Sequence, residues 1–263
     1  LLVYVSAWIK CHWPATFAAA LLNSQPMGFY APAQLVRDAR EHGVRVRDVD
    51  VNESLWDSTL EPDTASHAGV ALRLGFRQIK GLPENAAARI VAARHAGYAS
   101  VAAFWRRAGV ARAVLERLAR ADAWRSLGLT RRNALWAVRA LGDQELPLFA
   151  AAEARAEGGS EDRGSNALPA SEAQHPDSAE PDVSLPVMTL GENVVDDYAH
   201  LRLSLRAHPL ALLRDQLTLR GAVPSIRLAT IRPASIVTVA GLVLVRQRPG
   251  SASGVIFATL EDE

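Results

Sequence analysis

The chain has 263 residues, 49% hydrophobic and 22% charged, an ordinary globular composition with room for two or three small domains. Its single cysteine, Cys11, excludes an internal disulfide and a zinc finger and suits a reducing compartment. No apolar run approaches ~18 residues and no signal peptide is visible, so no membrane partner is expected and the cytoplasm is the expected location. The net charge of +1 averages unlike regions: residues 1–149 carry 19 basic and 13 acidic side chains, 150–186 carry 2 and 8, and 187–263 carry 8 and 7. A basic part, an acidic spacer and a balanced part are therefore expected. Only Lys10 and Lys80 among the 29 basic residues are lysines.

Residues 1–43 read as helices. Tyr4 to Lys10 is apolar on one side, and Pro14 opens Ala15 to Asn23, with Phe17, Leu21 and Leu22 at helical spacing. Ser24 to Gly28 reads as a turn. Pro32 opens a helix through His42, with Gly43 suited to follow it. His42 fits a helix end, and His12 has no ligand partner at i+3 or i+4, so neither reads as a metal site. Trp8 and Trp13 read as core or interface residues. From Val44 to Leu74 the period changes, and short strands are expected around 44–51, 55–60 and 70–74, with a loop at 61–69.

The stretch from Leu72 to Gly142 holds the strongest signal. Ile79-Lys80-Gly81-Leu82-Pro83-Glu84-Asn85 reads as a helix end, a tight hairpin and a new helix starting at Pro83. Such a helix-hairpin-helix unit presents backbone N–H groups and a helix N-terminus, which hold a phosphate without reading the base. Residues 71–140 carry 14 Lys/Arg against 3 Asp/Glu, a net +11, which reads as a nucleic-acid surface. Lys80, Gly81, Leu82, Arg77, Asn85 and Arg89 are the candidate DNA-binding residues. Helices follow at Glu84 to His95, with Arg89 and Arg94 facing solvent, and at Val101 to Ala108, Arg112 to Ala121 and Arg131 to Leu141. Ser100 and Thr130 are expected to cap two of them. A second hairpin around Ala108-Gly109-Val110 would make the domain a tandem, supporting the first.

Residues 150–186 have almost nothing apolar to bury and read as a disordered acidic linker. Asn193 to Leu219 reads as helical, interrupted near His208-Pro209, with Asp196 and Asp197 at its solvent-facing start. Ile236 to Arg246 and Val255 to Leu260 read as a β-hairpin with a bend at Gly241. It looks like the opening of an OB-fold, whose strand faces bind single-stranded nucleic acid.

Several strings together resemble the C-terminal part of the error-prone bacterial C-family DNA polymerases, relatives of the DNA polymerase III alpha subunit. They are Ser6 to Pro14, Leu21 to Tyr30, Asp48 to Asn52, Leu72 to Phe76, Ser204-Leu205-Arg206-Ala207-His208-Pro209, and Val239 to Gly250 followed by Phe257 to Glu263. The resemblance implies a mainly α fold with small β parts. Its expected layout is the end of a helical fingers region (1–69), a tandem helix-hairpin-helix domain (70–149), the linker (150–186), a helical connector (187–224) and a truncated OB-fold hairpin (225–263). It implies template-directed DNA synthesis in damage tolerance, that is, translesion synthesis. Mg2+ would be held by palm aspartates that no acid here matches, so no catalytic or metal residue is nominated, and the chain alone is expected to be inactive. The implied partners are primer-template duplex, single-stranded template at the OB part, and a sliding clamp or other damage-tolerance proteins. A non-enzymatic DNA-binding repair or recombination module and the housekeeping alpha subunit are the alternatives. Pro83 removes one amide donor from the hairpin, which shifts weight onto Lys80, the amides of Glu84 to Ala87 and nearby arginines.

Overall fold

The computed structural model describes residues 1–28, 30–66, 69–141, 185–252 and 254–263. Most of the acidic linker expected at 150–186, and Gly142, lie outside the described residues.

The first three helices are α1 (Leu2–His12), α2 (Pro14–Asn23) and α3 (Pro32–Glu41). Proline stands at the start of α2 and α3, where its missing N–H costs nothing. α2 and α3 bury Ala15, Ala18, Ala19, Leu22, Leu35, Val36 and Ala39, whereas α1 buries no residue. Trp8 and Trp13 are 47% and 60% exposed, so neither belongs to the core of this chain.

The strands β1 (Arg45–Arg47), β2 (Thr59–Pro62) and β3 (Val70–Arg73) form one sheet in the order β1-β3-β2. β1 runs parallel to β3, and β2 runs antiparallel with Leu60 opposite Leu72. The first strand is shorter than the sequence pattern suggests. Asp50 captures the amide of Asn52 through its own carboxylate at 2.8 Å, and Ser54 Oγ takes the amide of Asp50 at 3.0 Å. These local bonds compete with a ladder and turn the chain. Leu55 and Trp56 lie outside the sheet but accept from the amides of Phe76 and Arg77 at 2.8 and 3.1 Å, which fastens the loop beneath the first hairpin.

The helical part comprises α4 (Glu84–Ala92), α5 (Val101–Ala108), α6 (Arg112–Arg120) and α7 (Arg131–Ala140). Ser100 and Thr130 cap α5 and α7 as expected, accepting from the amides of Ala103 and Asn133. Ile90, Phe104, Leu115, Leu118 and Trp124 are fully buried. Phe104 lies between Tyr98 and Trp124, with ring centroids 4.6 and 4.7 Å away. One apolar cluster runs from α2 and α3 through the sheet to α4–α7 and on to Leu201 and Leu203.

The connector departs from the expected long helix. α8 (Leu190–Leu201) begins in a full capping box of Thr189 and Glu192, and it ends at Arg202, whose φ is 63°. Leu203 then turns into the core at 1% exposure. A short 3-10 turn (Pro209–Leu213) and α9 (Arg214–Leu219) follow. Asp197 is not a solvent-facing helix-start acid. It is 2% exposed and accepts from Arg131, Ser204 and Arg206. Asp196 has Arg131 Nη1 at 3.7 Å.

At the C-terminal side β4 (Ala222–Val223) pairs in parallel with β5 (Thr238–Val239), and β6 (Leu242–Gln247) pairs antiparallel with β7 (Phe257–Glu261). The single strand expected from 236 to 246 is divided at Gly241. A side chain there would lie 2.8 Å from Leu260 Cβ, so glycine lets the chain pass from one ladder to the next.

Candidate nucleic-acid interface

The first hairpin follows a strand, not an α-helix. β3 ends at Arg73, and Gly75 then packs so tightly that an added Cβ would stand 2.3 Å from the carbonyl oxygen of Trp56. One 3-10 turn (Phe76–Gln78) fits before the corner, where an apolar helix end was expected. Gly81 has φ 74°, a conformation other residues adopt only at a cost. Pro83 is the cap residue of α4, with φ −75° and ψ 140°, and not its first helical residue.

The amides of the corner divide into two groups. Lys80 N–H donates to the carbonyl of His200 at 2.8 Å, and Leu82 N–H donates to Ile79 at 3.2 Å. The carbonyl of Pro83 accepts from Ala86 and Ala87. Among the described residues, the amides of Gly81, Glu84 and Asn85 have no backbone acceptor. All three residues are exposed. Open amides at a turn and a helix start suit an anion.

The second corner has the same local form. Gly109 has φ 56°, Val110 is 2% exposed, and Ala111 caps α6 with φ −65° and ψ 146°. In the first corner Leu82 plays the part of Val110, at 6% exposure. Leu82 is therefore an anchor under the turn and offers a ligand neither its side chain nor a free amide. Arg89, an exposed residue of α4, donates to the carbonyl of Gly109 at 3.0 Å, and Trp105 Nε1 donates to Val110 at 3.2 Å. Arg89 thus joins the two units, and its position against the second corner differs from the free phosphate contact expected of it.

The excess of arginine is mostly internal wiring. Arg77 donates to Asp57 at 2.7 Å and to the carbonyl of Asn23, which ties the base of the hairpin to the end of α2. It is committed there and not at the corner. Arg94, expected in solvent, is half-buried and donates to Val51 and Ser54. Arg73, Arg125, Arg131 and Arg132 pair with Glu61, Asp48, Asp197 and Glu192. Those acids lie outside residues 71–140, so the count of +11 overstates the open charge. Lys80, Arg117, Arg120 and Arg139 are exposed, and no ion pair forms to them among the described residues. Asn85 is exposed at the start of α4.

Arg117 is the residue the sequence reading missed. Its Nε and Cζ would lie 3.7 and 3.8 Å from a Cβ placed on Gly81, so its guanidinium stands beside the first corner. α6 supplies it from the second unit. His200, at the end of α8, lies near the same surface. Burial lowers its pKa, Asp196 opposes this, and the charges of Arg120, Arg131 and Lys80 lower it further. Burial and the neighbouring cations together favour the neutral form of its imidazole. With Val114, Leu115 and Leu118 on the buried face of α6, Arg117 and Arg120 fall on the other face, but nothing in the spacing says which turn they meet.

The helix-hairpin-helix motif family matches residues 43–134, beginning ahead of the boundary at residue 70 and so including the sheet that carries the first corner. Over its whole length the chain is 55% identical to the error-prone DNA polymerase of Ruegeria pomeroyi. It is 51% and 53% identical, again over its whole length, to error-prone DNA polymerases 1 and 2 of Rhizobium meliloti. The chain is similar over its whole length to one part of the error-prone DNA polymerases. It spans 22% to 24% of the length of these relatives. The matched chain is mainly helical with small sheets, as its sequence implies. Among the described residues no three of His, Cys, Asp and Glu converge as a metal site, and no helix is long and apolar enough to cross a membrane.

Proposed function

We propose that this chain is the part of an error-prone DNA polymerase that grips the duplex, holding primer-template DNA by its phosphates while nucleotide addition takes place elsewhere in the whole protein. The observation that carries the reading is the first corner. It combines three open amides and an exposed lysine at a glycine of positive φ, within a stretch that matches a helix-hairpin-helix motif. Lys80, Gly81, Asn85 and the amide of Glu84 are the groups that meet a phosphate. The full enzyme acts in the cytoplasm in translesion synthesis, with Mg2+ as its metal. The described residues offer no converging carboxylates to hold that metal, so no catalytic step is assigned to them. The β6–β7 hairpin is the opening of an OB-fold that lies near single-stranded template, and a sliding clamp is a fitting partner for the whole protein.

The test is a fluorescence-anisotropy titration of the chain against labelled duplexes of about 20 base pairs and unrelated sequence. Two or more phosphate contacts predict roughly a tenfold loss of affinity between about 50 and about 200 mM salt. Affinity that is flat across this range refutes the assignment. Lys80→Ala should weaken binding to all sequences alike and reduce the salt slope by about 1. A change in base preference instead would contradict contact through the backbone.

A further inference from the structure

We infer that Arg117 is a phosphate ligand of the first corner, so that the two helix-hairpin-helix units form one composite clasp, an inference that rests on the duplex-gripping function proposed above. Three observations carry it. The guanidinium stands beside Gly81, the residue whose amide is open and whose missing side chain leaves the approach clear. Second, Arg117 is exposed, and among the described residues it makes neither an ion pair nor a hydrogen bond, unlike Arg73, Arg77, Arg89, Arg94 and Arg125. Third, it does not stand alone. Lys80 is in the same corner, and Lys80 and Arg120 both act on His200. The acids nearest in sequence, Glu84 and Glu116, pair with neither Lys80 nor Arg117 among the described residues.

Cations gathered around an open turn repel one another, Asp196 beside His200 offsets only part of this, and an anion seated among them relieves the rest. The placement is maintained from below. Leu115 and Leu118 are fully buried and fix the rotation of α6, so its exposed face is presented to the corner by packing. The two cations differ in what they offer. Lys80 is a mobile point charge, whereas a guanidinium grips two phosphate oxygens in its plane. Arg117 also supplies donors at a corner where Pro83 has none to give.

The experiment is the same anisotropy titration across a range of salt, using the full chain and its Arg117→Gln, Arg117→Lys and Arg139→Gln variants, each shown by circular dichroism to be folded. Arg117→Gln should lose roughly three- to tenfold in affinity for every duplex, with a salt slope shallower by about 1. Arg117→Lys should keep the slope and lose part of the affinity. Arg139→Gln removes the same charge from α7 and should stay within about twofold of the parent chain. If the parent chain itself shows no salt-dependent binding, the duplex-gripping function falls and this inference with it. If the parent binds and Arg117→Gln matches it in affinity and slope, only the composite clasp is overturned. An Arg139→Gln loss equal to that of Arg117→Gln would likewise overturn it, because general charge would then explain both.

Discussion

Asp197 holds the connector to α7 through Arg131, and removing its charge should do substantial harm. Arg131, at 2% exposure, donates Nη2 to Asp197 Oδ1 and Nη1 to the carbonyl and side-chain oxygens of Asn193 at 3.1 and 3.2 Å. Arg206 Nη1 lies 2.7 and 2.6 Å from the two oxygens of Asp197, and Ser204 Oγ donates to it at 2.7 Å. Asp197→Asn keeps the volume, leaves the buried guanidinium of Arg131 with only the longer contact to Asp196 at 3.7 Å and turns an amide donor toward other donors. Breaking a buried pair in this way costs about 3–5 kcal/mol. Arg206 retains Asp122 at 2.5 Å and is partly exposed, which places the expected loss near the lower end, about 3 kcal/mol. Urea unfolding followed by circular dichroism should show the midpoint lowered by roughly 1–3 M with little change in slope. The paired change Arg131→Met with Asp197→Leu removes the buried charges together and should recover most of the loss. A midpoint within about 0.3 M of the parent for Asp197→Asn, or a double variant worse than both singles, would refute the reasoning.

Two further outcomes follow from the same structure. Gly75→Ala should destabilise by on the order of 3 kcal/mol or more, because its Cβ would meet backbone atoms of Trp56 and Asp57 at 2.3 to 2.6 Å. Gly81→Ala meets nothing closer than 3.7 Å and should cost only roughly 1–2 kcal/mol, from its positive φ. Urea midpoints that rank the two in the opposite order would show that space is not what Gly75 provides. The remaining outcome concerns acid. Burial lowers the pKa of both His200 and His208, so each stays neutral in the fold at pH values where the unfolded chain already takes a proton. Stability from these groups is therefore intact above the ordinary histidine value of about 6.5 and falls as pH drops below it. Unfolding at about pH 7.5 and about pH 5.5 should show the loss, and His200→Gln with His208→Gln should flatten it. An unchanged slope in that double variant would assign the acid sensitivity to other groups.

Local chemistry was legible in the sequence wherever a residue acts on its own neighbours. Ser100 and Thr130 cap where expected, Gly81 and Gly109 take the positive φ that a tight corner requires, and Pro14 and Pro32 open their helices. The strings that resemble error-prone polymerases were legible too, because family likeness is itself a property of sequence. What the sequence could not decide was where each long side chain ends. An arginine reaches many positions from one helical site, so spacing placed Arg77 and Arg89 at the corner while packing sends one to Asp57 and the other to Gly109. Arg117, remote in the chain, arrives beside Gly81 only because one apolar core holds α4 to α7 together. Asp197 has the composition of a helix-start acid, yet the fold buries it against two arginines drawn from opposite sides of the linker. Turn and cap preferences act over a few bonds and are written locally, whereas the pairing of charges depends on which helices meet and is settled by the core that brings them together.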